Sequence, residues 1–135
     1  MIDDLPTVRL ELSSRPEASA FVRSALSGIA ELLEFDPELL DDLKTAVSEA
    51  CNNVVVHAYP TEPGPLTVEL AIEADSIEVL VQDRGIGFDY LTPAEEPTGV
   101  GLAVINALSD HAQFTTGPHQ GTKVRMTFTR IAYRP

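Results

Sequence analysis

The stretch Leu43-Lys-Thr-Ala-Val-Ser-Glu-Ala-Cys-Asn-Asn-Val-Val-Val-His-Ala-Tyr59 limits the folds open to this chain more than any other. Leu40, Leu43, Val47, Ala50 and Val54 recur at helical spacing and form an apolar stripe. Glu49, Asn53 and His57 recur at i, i+4 and i+8, so a second, polar face lies about a quarter-turn or more from the first. A helix with a buried stripe must pack against another layer. Its polar face aligns a carboxylate, an amide and an imidazole, which can serve as a base, a metal ligand and a phosphate contact. Three polar residues alone could be a wet helix face. The run Val54-Val55-Val56 makes these surroundings too apolar for that reading, and the helix is expected to continue past His57 to Tyr59.

The rest of the chain supplies the second layer. Thr7–Leu12 alternates apolar and polar residues and reads as a strand. Ser14-Arg-Pro-Glu17 has the form of a capping box, followed by Phe21, Val22, Ala25, Leu26, Ile29, Leu32 and Leu33 at helical spacing. Asp36 then caps the long helix, with Pro37 behind it. Pro60–Pro65 cannot continue a helix. Leu66–Glu73 and Ile77–Gln82 form a hairpin through Ala74-Asp75-Ser76. The apolar segment after Gly99-Val-Gly101 is a helix, and Ala112–Thr116 and Thr122–Thr129 are strands. The order βααββαββ predicts an α+β, two-layer α/β sandwich, a mostly antiparallel sheet with helices on one face.

At 135 residues the chain reads as a single domain, 1–135. With Lys+Arg 9 against Asp+Glu 21 it carries a net charge of −12, which disfavours nucleic acid and anionic membrane as partners. It has no apolar run of membrane-spanning length and no basic-then-apolar leader, and is expected to be cytoplasmic. The single cysteine, Cys51, reads as a packing residue.

Two further segments carry chemistry. Asp83-Arg-Gly85-Ile-Gly87 ends a strand with a carboxylate that can accept from an exocyclic amine, beside glycines that let a flat ring approach the backbone. Gly99-Val100-Gly101-Leu102 opens a helix whose free N–H groups and positive dipole end suit phosphates. Each motif is weak alone, but their order is specific.

The chain resembles the ATP-binding domain shared by gyrase, heat-shock chaperones, histidine kinases and mismatch-repair ATPases, the Bergerat type of fold. Glu49-Ala-Cys-Asn-Asn53-Val-Val-Val-His57 resembles its N box, and Asp83-Arg-Gly85-Ile-Gly87, Gly99-Val-Gly101 and Gly121-Thr122 the later boxes. The wording Ala46-Val-Ser-Glu-Ala50 with His57-Ala-Tyr59 is most similar to the small bacterial anti-sigma-factor serine/threonine kinases. This resemblance implies ATP or ADP and Mg²⁺ as cofactors. Glu49 would be the general base and Asn53 the Mg²⁺ ligand. Asp83 would hold the adenine amine with Thr122 beside it, and Gly85 and Gly87 would shape its pocket. Gly99, Val100, Gly101 and Leu102 would meet the phosphates, and His57 would hold the phosphate side or close the helix. It also implies two partners, an anti-anti-sigma (STAS-type) protein phosphorylated on serine and a sigma factor that is sequestered, with homodimerisation left open. The expected lid, Asp89 to Thr98, holds Glu95 and Glu96 and no cation, which keeps an alternative in view: a nucleotide-binding switch that binds a protein without phosphorylating it.

Overall fold

The computed structural model describes residues 6–86, 100–117 and 119–130, with backbone alone at 100 and 101. Gly87, Gly99 and the expected lid lie outside the described residues. The elements run β1 (Val8–Ser13), α1 (Ala18–Leu33), α2 (Pro37–Asn53), a π-helical turn (Val54–Ala58), β2 (Pro65–Ile72), β3 (Ser76–Asp83), α3 (Val100–Leu108), β4 (His111–Thr116) and β5 (Thr122–Thr129). The strands form one sheet in the order β1-β2-β3-β5-β4, and every neighbouring pair is antiparallel. This is the expected α+β sandwich.

Period-2 patterning sets the sheet's faces. Leu66, Val68 and Leu70 of β2, Ile77, Val79 and Val81 of β3, and Val124, Met126 and Phe128 of β5 are all buried. They are paired in register, Val68 with Val81, Leu70 with Val79 and Val79 with Met126. Each such side chain contributes about 1.5–3 kcal/mol by leaving water. Polar positions occupy the other face, where Arg125 bonds Glu78 at 2.9 Å and Arg9 meets Glu69 at 3.4 Å.

α2 is the central helix, packed between α1, α3 and the sheet. Its buried surface is broader than one stripe: Leu43, Ala46, Val47, Ala50 and Cys51 are all buried. Small residues at 46, 50 and 51 let neighbouring elements approach from two sides. Burial pushes the Cys51 thiol up to about 12, so it is an inert packing group at neutral pH. Asp36 caps α2 as expected, its Oδ1 accepting from Glu38 N at 3.0 Å.

Three expectations are corrected. α1 does not use the Ser14/Glu17 capping box: it starts at Ala18 with Glu17 at the N-cap and no side-chain cap. Ser14 is buried, and its hydroxyl instead accepts from Gly64 N at 3.0 Å, tying the end of β1 to the loop before β2. The apolar spacing of α1 also over-reaches. Val22 and Leu26 are buried with Ala18 and Ala30, but Phe21 and Leu32 face outward, 59% and 83% exposed. Lastly, α2 leaves α geometry at Asn53 and continues as a π turn through Val54–Ala58. Three consecutive β-branched residues crowd the preceding turn in an α-helix, and a wider turn relieves that crowding.

Ser14→Ala should cost about 1 kcal/mol in urea unfolding, because Gly64 N loses its partner, whereas Glu17→Ala should change stability by a few tenths at most. Equal costs for the two would restore the capping box.

Candidate functional site

The last inward position on β3 is not apolar. Asp83 takes the place that the 77, 79, 81 alternation reserves for a core residue and is 3% exposed. Thr122, the first residue of β5, likewise sits on the inward parity of 124, 126 and 128 and is buried. The β3–β5 register, Gln82 opposite Lys123, brings Asp83 and Thr122 together at the sheet end. Asp83 Oδ1 accepts from Gly85 N at 2.8 Å, and the Thr122 backbone also bonds the carboxylate. Burial pushes the Asp83 carboxyl above the ordinary carboxylate value, opposed by these two bonds.

The segment after Asp83 folds against the end of α2. Ile86 N donates to Ala58 O at 3.0 Å, and Arg84 N donates to the Tyr59 hydroxyl at 2.9 Å. The same hydroxyl donates to Pro65 O at 2.5 Å, so Tyr59 ties the helix end, β2 and the Asp83 corner together. Gly85 is required by this approach: a Cβ there would lie 2.1 Å from Ala58 O. On the other side, Gly121 adopts φ +74°, and a Cβ on it would lie 2.3 Å from Asp83 O. His119, itself at φ 60°, donates its N–H to Ile86 O at 2.7 Å. A cavity of about 430 Å³ opens beside this corner between Tyr59, Arg84, Gly85, Ile86 and His119.

Asn53 ends α2 one turn after Glu49, and both are half-buried. The Asn53 Nδ2 is buried without a hydrogen-bond partner. Leaving such a group unpaired is costly, so a buried amide of this kind is suited to a ligand it has yet to meet. Its planar carboxamide can present either a donor or an oxygen. His57 stands exposed within the π turn, so Glu49, Asn53 and His57 do not continue as one α-helical row. Val100 and Gly101 form the first turn of α3 and Leu102 is half-buried within it. Gly87 and Gly99 lie outside the described residues.

Two contributors were not visible in the sequence. Tyr59 reads as the end of a helix and as part of the family wording, not as a brace, because its partners lie 6 and 25 residues away. Thr116 faces Thr122 across β4–β5, the hydroxyls 3.1 Å apart, a contact that no spacing announces.

The profile of the histidine kinase-like ATPase domain matches residues 12–128. The chain belongs to this family, as the order of the boxes implied. It is 30% identical to the serine-protein kinase RsbW of Bacillus mycoides over 94% of this chain and 87% of that protein. Among solved structures it resembles that of the RsbU and RsbW domains of a Mycobacterium tuberculosis protein, with a TM-score of 0.73 and 25% identity. That match covers 96% of this chain and 34% of the longer one. The mycobacterial sensor histidine kinase MprB shares the fold, with a TM-score of 0.55 at 14% identity, over 93% of this chain and all of that one.

The folded Asp83 carboxyl holds its proton to higher pH than the unfolded one. The stability this gives is full below the unfolded value and is lost as pH rises through the folded value. At neutral pH the ionised carboxylate is therefore a cost to the fold. Asp83→Asn, which keeps an acceptor for Gly85 N, should match or exceed the parent in melting temperature at pH 7, and the gap should close on acidification. A large loss of stability at pH 7 would contradict this account.

Proposed function

We propose that this chain is an ATP-dependent protein serine kinase that acts as an anti-sigma factor, phosphorylating a serine of an anti-anti-sigma (STAS-type) protein and sequestering a sigma factor. The observation that carries it is the buried Asp83–Thr122 pair at a glycine-lined strand end, set against the helix that bears Glu49 and Asn53. The likeness to RsbW along nearly the whole chain supports the serine kinase reading.

Asp83 accepts from the adenine amine, supported by the Thr122 hydroxyl; Gly85, closely packed on Ala58 O, shapes the pocket by holding that corner in place, and Gly87 leaves room for the ring. The backbone of Gly99, Val100, Gly101 and Leu102 meets the phosphates, with His57 at the phosphate side. The orphaned amide of Asn53 fits a cation-bridged phosphate: turned over, it offers the hard oxygen that Mg²⁺ takes. When bound, the ion supplies charge compensation for the transferring phosphoryl group. Glu49 takes the proton of the attacking serine hydroxyl as its oxygen bonds the γ-phosphorus and ADP leaves.

The acidic run Asp89, Glu95 and Glu96 favours one competing reading, a switch that binds nucleotide and a protein without transferring phosphate. Labelled ATP incubated with a STAS-type protein distinguishes the two. Under the kinase reading, label appears on serine, and Glu49→Ala lowers transfer by about 10²–10⁴ while Mg-ATP still raises the melting temperature. Full transfer by Glu49→Ala removes the base from Glu49. Nucleotide-dependent complex formation with no labelled product leaves the switch.

Asp83→Asn should lose the stabilisation by Mg-ATP that the parent shows, which at a hundredfold excess over Kd is about 2.7 kcal/mol. An undiminished shift would place adenine elsewhere.

A further inference from the structure

A larger cavity, about 740 Å³, lies at the opposite end of the sheet. Its residues come from the end of α1, the first turns of α2, the β2–β3 turn, the end of α3 and the end of β5. Asp83 ends β3 and Ser76 begins it, so the cavity stands about 24 Å from the Asp83 corner. None of its lining belongs to the proposed nucleotide site.

The apolar part is formed by Leu33, Leu39, Leu108 and Phe128. Around it stand five carboxylates and one cation. Two of the five are committed: Asp36 caps α2, and Asp110 accepts from Thr129 N at 2.5 Å. Glu34, Glu38 and Asp42 make no ion pair among the described residues. Arg130, the cation, is spent on the protein itself. Its Nη1 donates to Glu73 O and its Nη2 to Leu33 O, each at 3.0 Å, over the Phe35 ring at 5.0 Å. Glu34 also holds a left-handed backbone, φ 57° and ψ 49°, at the α1 C-cap, where glycine is the ordinary choice.

This chemistry selects its occupant. An anionic metabolite or an acidic membrane would meet free carboxylates and no free cation among the lining residues. A metal ion would need converging ligands, and no group of three exists among the described residues. The free carboxylates sit on two elements around an apolar floor, which matches cations spaced along a chain on either side of an apolar anchor. We propose that this cavity is a docking site for a partner protein's basic segment, an aliphatic or aromatic side chain seated on Leu33 and Leu39 and flanking Lys or Arg facing Glu34, Glu38 and Asp42. The site is separate from nucleotide chemistry and stands whether or not the chain transfers phosphate.

The probe is a short synthetic peptide with one central leucine flanked by lysines, labelled for fluorescence anisotropy. The variant is Glu34→Gly, Glu38→Gln, Asp42→Asn, in which the first change relieves the left-handed position and the others keep shape. The expected result is saturable binding to the parent chain, weakened at least about tenfold by the variant and at least about tenfold by replacing the peptide's leucine with alanine. The variant's melting temperature should be no lower than the parent's. Equal binding by the leucine and alanine peptides would overturn the proposal, since net charge alone would then explain the attraction. So would equal binding by parent and variant. A parent dimer in light scattering that dissociates in the variant would assign the cavity to a second copy. Probe binding that tightens about tenfold when residues 131–135 are removed would assign it to the chain's own end. Either result overturns the partner segment.

Discussion

The joint between Ala58 and the Gly85-Ile86 backbone is the contact on which the site depends. Ile86 N reaches Ala58 O at 3.0 Å, and only a residue without a Cβ at 85 allows it. The joint fixes two elements that are remote in sequence, the end of α2 and the end of β3. One carries Glu49 and Asn53, the other Asp83. Gly121 makes the matching approach from β5, its missing Cβ leaving room for Asp83 O. The Tyr59 hydroxyl, bonded to Arg84 N and Pro65 O, braces the same joint from outside. Three chain segments are thus held together at one corner, with the Asp83 carboxylate bonded to backbone, the Thr122 hydroxyl facing Thr116, and the Asn53 Nδ2 left without a partner.

Burying a carboxylate at the end of an otherwise apolar strand opposes folding, and the core must offset it. It does so through Leu66, Val68, Leu70, Ile77, Val79, Val81 and Met126, all at most 1% exposed. The orphaned Asn53 amide adds a second cost on the facing helix. Two unfavourable groups at one end of the molecule, with a tightly packed interior behind them, is the distribution expected where stability is exchanged for ligand contact.

Much of this was legible in the sequence because it rests on local periodicity. β5 was expected at Thr122–Thr129 and is found there; β2 and β3 differ by a residue or so at their ends. The inward parity of Asp83 and Thr122 follows from the same alternation. What was not legible depends on contacts across the fold. Ser14 reads as a helix cap until Gly64 is seen to compete for its hydroxyl. Phe21 and Leu32 share the spacing of buried Val22 and Leu26, but a helix covered on one side cannot bury every apolar residue within a quarter-turn of its stripe. The π turn at Val54–Ala58 breaks the i, i+4, i+8 row because spacing arguments assume an unbroken α-helix.

The two ends of the sheet are built on opposite chemical plans. At the Asp83 end, backbone N–H groups and glycines converge, and one carboxylate is desolvated and bonded to backbone. At the Arg130 end, carboxylates stay in reach of solvent and the cation is turned inward onto carbonyls. β3 and β5 connect the ends directly, pairing from Gln82–Lys123 at one to Ser76–Thr129 at the other. Asp110 adds a rigid link at the far end, bonding Thr127 O through its N–H and Thr129 N through its carboxylate, so that the α3–β4 turn moves with β5. α3 ends at Leu108, which lines the distal cavity, so that cavity shares a wall with the helix packed on α2.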